Sequence, residues 1–170
     1  EHVHTRYVVR DRKNATGVSL IYVAEGGSDN MIACVPGANM ALSRMDVDAA
    51  AEAIARADVV LAQLENPLET TAFALKLGRM SGARTILNPA PAAPVLPELL
   101  ANADFITPNQ TELDLLTGGP YHDPAVAARQ LMADDRQTVI VTLGDRGALI
   151  VTRDAEEHVP VFAVETVDST

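Results

Sequence analysis

Cysteine is almost missing from this chain. Cys34 is the single thiol in 170 residues, which excludes an internal disulfide and suits a reducing cytoplasm, the expected location. Long apolar runs are missing too. No stretch approaches the roughly 18 consecutive apolar residues that suggest a membrane span, and Glu1-His2-Val3-His4 is not a signal peptide. Basic residues are scarce: 13 Lys and Arg against 23 Asp and Glu give 13 − 23 = −10. Such a balance repels phosphate backbones and anionic lipid, so nucleic acid and membranes are not the expected partners. A nucleotide remains admissible, because a few local dipoles can hold it despite the global charge.

Several catalytic signatures are absent as well. There is no Gly-x-x-x-x-Gly-Lys-Ser/Thr phosphate loop, no Gly-x-Gly-x-x-Gly after a strand, and no nucleophile elbow to carry a Ser/His/Asp triad. His2 and His4 form a His-x-His with no third ligand, which is thin support for a metal site. His122 and His158 fall in loops and are expected to be solvated. Internal repeats and low-complexity segments are lacking. The chain begins and ends abruptly, with Val164–Thr170 following a strand-like run, so it is expected to be a piece of something longer.

What is present is globular. With 48% hydrophobic and 21% charged residues, a chain of this length buries roughly two thirds of its unfolded surface. Three β-like stretches come first: Arg6–Arg10, Gly17–Val23 and Asn30–Val35, separated by the turn sequences Lys13–Thr16 and Glu25–Asp29. They predict an antiparallel meander too thin to fold alone, so residues 1–38 should be an appendage on a larger sheet. Residues 39–170 should form the α/β core, and from Asp46 onward the pattern is αβαβ. Asp48–Ala57, Leu68–Ser81, Leu96–Ala101, Asn109–Leu116 and Pro124–Asp134 read as helices. Asp58–Glu65, Arg84–Leu87, Asp104–Thr107 and Val139–Gly144 read as strands, and Ala148–Val151 resumes the apolar run. Apolar strands alternating with helices predict an α/β fold with a mostly parallel sheet covered on both faces.

In such sheets ligands bind beyond the carboxyl ends of the strands. Glu65, in Gln63-Leu64-Glu65-Asn66-Pro67, is either a solvated loop carboxylate or an acceptor for the hydroxyls of a polyol. Asn88-Pro89-Ala90-Pro91-Ala92 reads as a stiff loop. In Ile106–Glu112, Asn109 and Glu112 have the spacing of a capping box. The rival account is a helix start facing a phosphate, with Glu112 acting on magnesium through a bound water. Val139–Val151, VIVTLGDRGALIV, is either a plain hairpin or a corner whose glycines let a ligand approach the backbone.

Taken in order, LENP (Leu64–Pro67), LNPAPA (Leu87–Ala92), ITPNQTE (Ile106–Glu112), VTLGDRG (Val141–Gly147) and VDST (Val167–Thr170) resemble the PfkB-type carbohydrate kinases, the ribokinases in particular. Each motif is weak alone; five in order are specific, and the likeness extends to Pro36-Gly37-Ala38-Asn39 and so over essentially the whole chain. The resemblance implies a three-layer α/β/α sandwich with a small antiparallel lid. It implies that Glu65 contacts sugar hydroxyls, and that Asn109 and Glu112 lie near the phosphates of ATP and Mg2+. It further implies that Thr142, Gly144, Asp145, Arg146 and Gly147 hold the nucleotide, and that Asp168 and Thr170 begin a monovalent-cation (K+) site. The lid would cover the sugar and pair with the lid of a second subunit, giving a homodimer. The implied reaction is transfer of the γ-phosphoryl of ATP to O5 of D-ribose. Other acceptors (a nucleoside, fructose or a deoxy-gluconate) and a non-catalytic ligand-binding module remain open alternatives. The family's Gly/Ala-Ala-Gly-Asp, with its aspartate base, should follow Thr170, and its glycine-rich sugar motif should precede Glu1. The isolated chain is therefore expected to be inactive.

Overall fold

Short apolar strands separated by capped helices leave few ways to bury both faces of a sheet, and the computed structural model, which describes residues 3–23 and 30–162, adopts one of them. Two strands form a sheet of their own: β1 (Val18–Val23) and β2 (Asn30–Val35), paired antiparallel. A 3-10 turn, Gly37–Ala41, then leads to α1 (Arg44–Ala49) and α2 (Ala51–Ala55). The main body continues as β3 (Val59–Ala62), α3 (Leu68–Met80), β4 (Arg84–Leu87), α4 (Pro97–Ala101), β5 (Phe105–Ile106), α5 (Gln110–Thr117) and α6 (Pro124–Leu131). It closes with β6 (Thr138–Thr142), a 3-10 turn at Gly144–Arg146, β7 (Ala148–Val151) and β8 (Glu156–Val159).

The six strands from β3 to β8 lie in sequence order; β3 to β6 are parallel, and β7 and β8 are added antiparallel. Leu87, Ile106, Val139, Val141 and Val151 are fully buried in the sheet, under Leu75 of α3, Leu113 of α5 and Ala127 and Ala128 of α6. Helix α3 lies close on the sheet because position 78 has no side chain: a Cβ there would sit 2.7 Å from Val60 Cγ2. None of the described helices is long and apolar enough to cross a membrane.

Parallel strands start from the same edge, and here that edge is tied by side chains. The Thr85 hydroxyl donates to the Asn102 carbonyl at 2.7 Å, and the Asp104 carboxylate accepts from the Thr85 N–H at 2.9 Å. Gln137, 1% exposed, donates from Nε2 to the carbonyls of Leu100 and Ala103, both at 2.6 Å. Its Oε1 accepts from the backbone N–H groups of Ala133 and Asp134. Arg79, near the end of α3, donates to Asp134 Oδ2 at 3.2 Å and to the Ala101 carbonyl. The N–H and guanidinium of Arg136, and then Arg79, hold the Asp134 carboxyl below its ordinary value.

Three expectations need correction, and one strand had no counterpart among them. Arg6–Arg10 is not a strand: Val8 N–H turns back to the Thr5 carbonyl, and Asp11 Oδ1 accepts from Lys13 and Asn14, closing a turn where pairing would have to continue. The lid sheet therefore has two strands, and the turn expected at Glu25–Asp29 lies outside the described residues. The single helix expected at Asp48–Ala57 is two, broken at Ala50, and it starts earlier. Ser43 and Asp46 form a capping box there, with Ser43 N–H donating to Asp46 Oδ2 at 2.9 Å. The strand expected at Val139–Gly144 ends at Thr142, because Gly144 takes φ +62° and begins the 3-10 turn. Finally, β8 lies in a stretch so charged (Glu156-Glu157-His158) that no apolar alternation marks it; backbone pairing with β7 makes it a strand.

The Gln137 tie is testable. Gln137→Leu keeps the volume and strands buried carbonyl and N–H groups, so it should lower the unfolding free energy of the complete protein by about 3 kcal/mol. Chemical denaturation measures it, and a change within experimental error would show that the tie is dispensable.

Candidate functional site

Register decides what reaches the rim. Ala62, Leu87, Ile106 and Val139 are aligned across the four parallel strands. Counting three residues onward from that row gives Glu65, Ala90, Asn109 and Thr142, and the bridge Asn109↔Thr142 continues the ladder to that level. The loops are fastened to one another: Leu64 N–H donates to the Ala90 carbonyl at 2.9 Å, and Thr142 N–H to the Pro108 carbonyl at 3.0 Å. Glu65, Asn109 and Gly144 thus open at the same end of the sheet. They do not converge on one point. Three strand spacings separate the exits of β3 and β6, about 14 Å.

At the β3 side a cleft of about 740 Å³ lies between the rim and the lid. Its rim wall carries Glu65, exposed, with Ala90 and Pro91 beside it, and Asn39 lines it at the base of the lid. The lid wall follows from strand alternation. Ser19 and Ile21 of β1 face the same side as their cross-strand partners Cys34 and Ile32 of β2, and all four line the cleft. Ser19 Oγ and Cys34 Sγ lie 3.0 Å apart and share a hydrogen bond. Composition and motif gave no sign of these lid residues; the alternation of β1 and β2 is the signal that could have found them.

At the β6 side the site is made largely of backbone. Asn109 caps α5: Glu112 N–H donates to Asn109 Oδ1 and Asn109 N–H donates to Glu112 Oε2, each at 2.8 Å. The structural account of this pair is therefore satisfied in full, and one carboxylate oxygen of Glu112 is committed to it. In the Thr142–Gly147 corner, Leu143 N–H donates to the Gly147 carbonyl at 2.8 Å, and Thr142, Gly144, Asp145 and Arg146 are exposed. Gly147 has φ +92°, and a Cβ there would sit 2.1 Å from the Val159 carbonyl oxygen, so β8 closes directly beneath the corner. Arg146 Nη2 donates to Gln110 Oε1 at 2.6 Å, which joins the corner to the first residue of α5. His158, expected to be solvated in a loop, is exposed but sits in β8 with Nε2 2.7 Å from the Arg146 carbonyl.

Among the described residues no group of three or more His, Cys, Asp or Glu side chains is arranged to hold a metal. Asp168 and Thr170, expected to begin a cation site, lie outside the described residues, as does His2.

The family model of the pfkB family carbohydrate kinases matches residues 1–170. A deoxyribokinase of Salmonella typhi is 42% identical over 171 residues, covering 98% of this chain and 56% of the relative. A ribokinase of Staphylococcus aureus is 36% identical over 178 residues, covering 99% of this chain and 56% of the relative. The solved ribokinase of Arabidopsis thaliana, complexed with ribose and ATP, superposes with a TM-score of 0.78 at 26% identity, covering 91% of this chain and 51% of that one. The fold is thus ribokinase-like, and the chain spans about half the length of the curated relatives it matches.

The cap of α5 separates structure from recognition. Asn109→Ala should cost about 1 kcal/mol of stability and Asn109→Ser should recover most of it. Equal unfolding midpoints for all three proteins would mean that the capping box contributes nothing.

Proposed function

The chain belongs to the pfkB family of carbohydrate kinases, and we propose that it is the central portion of an ATP-dependent kinase acting on the primary O5 of a pentose, D-ribose or its 2-deoxy analogue. The observation that carries this is the cleft at Glu65, roofed by the lid and opening at the same sheet end as the Asn109 helix start and the Thr142–Gly147 corner. Phosphoryl transfer asks the protein mainly for positioning and charge stabilisation. In this proposal Glu65 accepts hydrogen bonds from sugar hydroxyls, and the Ile21–Ile32 face of the lid shields the acceptor from water. Thr142, Gly144, Asp145, Arg146 and Gly147 seat the nucleotide, and Asn109 and Glu112 stand at the phosphate end.

Magnesium, when bound, supplies charge to the phosphates. A single carboxylate with one oxygen already hydrogen-bonded suits an ion that keeps most of its waters, so Glu112 would reach it through water. A potassium site would begin at Asp168 and Thr170, and the aspartate base would come from sequence after Thr170. A cytoplasmic location accords with the single exposed thiol.

The deoxy sugar is kept beside ribose for a specific reason. Two relatives of comparable coverage carry the two names, deoxyribokinase and ribokinase. In addition, Ser19 and Cys34 on the lid wall hydrogen-bond each other and both are exposed, so a missing sugar hydroxyl opposite them would strand no buried lid group. The homodimer is proposed through the other lid face. There Leu20, Tyr22 and Met31 are 57%, 61% and 70% exposed, an apolar surface that a second lid would cover.

In the complete protein, Glu65→Ala should raise KM for the pentose roughly ten- to hundredfold and leave KM for ATP within a few-fold. Equal losses for sugar and ATP would remove Glu65 from the sugar site, and a panel of ribose, deoxyribose, fructose, nucleosides and deoxy-gluconate identifies the acceptor. Leu20→Glu should convert a dimer to monomer by sedimentation; an unchanged sedimentation coefficient would place the interface elsewhere.

A further inference from the structure

The corner at Gly144–Arg146 is exposed, short and flanked by positive-φ glycines at 144 and 147, a composition that gives it little stiffness of its own. Its internal bonds are few: Leu143 N–H to the Gly147 carbonyl at 2.8 Å closes its base, and within it Gly147 N–H reaches the Gly144 carbonyl at 3.1 Å and Arg146 N–H the Leu143 carbonyl at 3.3 Å. Two further contacts reach Arg146 from outside it. A carbonyl can only accept, so His158 carries its proton on Nε2 and donates to the Arg146 oxygen at 2.7 Å. Strand β8 brings it there because His158 pairs with Leu149 in register, one residue before the Val159 carbonyl that fills the space beside Gly147. On the other side the Arg146 guanidinium donates to Gln110 Oε1 at 2.6 Å. Gln110 opens α5, directly after Asn109 and two residues before Glu112.

Backbone and side chain of one residue, Arg146, are therefore held from opposite sides, by the edge strand and by the helix. We propose that His158 is a positioning residue for the nucleotide: it fixes the carbonyl of Arg146 and thereby aims the guanidinium at Gln110. The Thr142–Gly147 corner and the start of α5 then meet a nucleotide as one unit. This rests on the reading of that corner as the nucleotide seat. It gives β8, which adds little to the core, a task at the site. It also assigns Arg146 to a link between protein groups.

The test uses the complete protein. His158→Ala should weaken ADP binding, measured by calorimetry, about threefold to tenfold, and leave KM for the pentose within about twofold. His158→Gln, whose amide N–H can replace Nε2–H, should restore ADP affinity. Hydrogen exchange separates the failures. If ADP does not slow exchange of residues 142–147 in the unaltered protein, the nucleotide reading falls and the proposal with it. If ADP does slow it but His158→Ala binds ADP as before, the proposal alone is wrong. The proposal is equally overturned by matching losses for sugar and ADP, which would mark a general structural role, or by a Gln variant no better than Ala.

Discussion

The arrangement depends on how the parallel strands are held in register at their starting edge. Strand β5 is two residues long, so its ladder alone fixes little. Register comes instead from side chains that grip the backbone just before it. Thr85 bonds the Asn102 carbonyl, Asp104 receives the Thr85 N–H, and Gln137 clasps Leu100 and Ala103. A slip of one residue would turn Ile106 out of the core and expose every alternate side chain to the wrong face. It would also move Asn109 away from Thr142, with which it is bridged. Polar groups at one edge thus set the positions of polar groups at the other, five residues on from Asp104 to Asn109 and from Gln137 to Thr142.

That dependence explains what could be read in the sequence and what could not. Strand β4 was expected at Arg84–Leu87 and lies there, because a short run with β-branched Thr85 and Ile86 beside Leu87, bounded by Gly82 and Pro89, has few alternatives. Helix α3 likewise carries its own punctuation, with Glu69 in the first turn and Gly82 just beyond its end. Asn109 and Glu112 were legible as a capping box, since cap chemistry is local. Strand β8 was not legible, because its pairing is a property of β7 and of the space beside Gly147, and its own residues are charged. Gln137 gave no sign either: a polar residue before a strand looks like solvent-facing loop until the carbonyls it binds are brought to it from residues 100 and 103. The earlier start of the first helix is local and legible, since Ser43-x-x-Asp46 is a cap signal; the break at Ala50 is not, because no glycine, proline or cap residue marks it.

The two ends of the candidate site use different physics, and this bears on how a chain of charge −10 could accept a polyanion. The cleft under the lid is side-chain built, with a carboxylate on the rim and isoleucines above. Exposed Glu65 would pair badly with phosphate and well with hydroxyl donors. The β6 end is backbone built, and its basic side chain, Arg146, is turned onto Gln110. Attraction there would have to come from oriented N–H groups and the helix start. Those are short-range and do not depend on net charge. The exits of β3 and β6 lie about 14 Å apart, three strand spacings, so an acceptor-rich end and a donor-rich end would not have to share one spot. An acidic surface is compatible with both, provided the donors at the phosphate end are held rigidly enough not to turn away. In this molecule that rigidity comes from the neighbours of the glycine corner, Val159 beneath Gly147 and Gln110 beside Arg146.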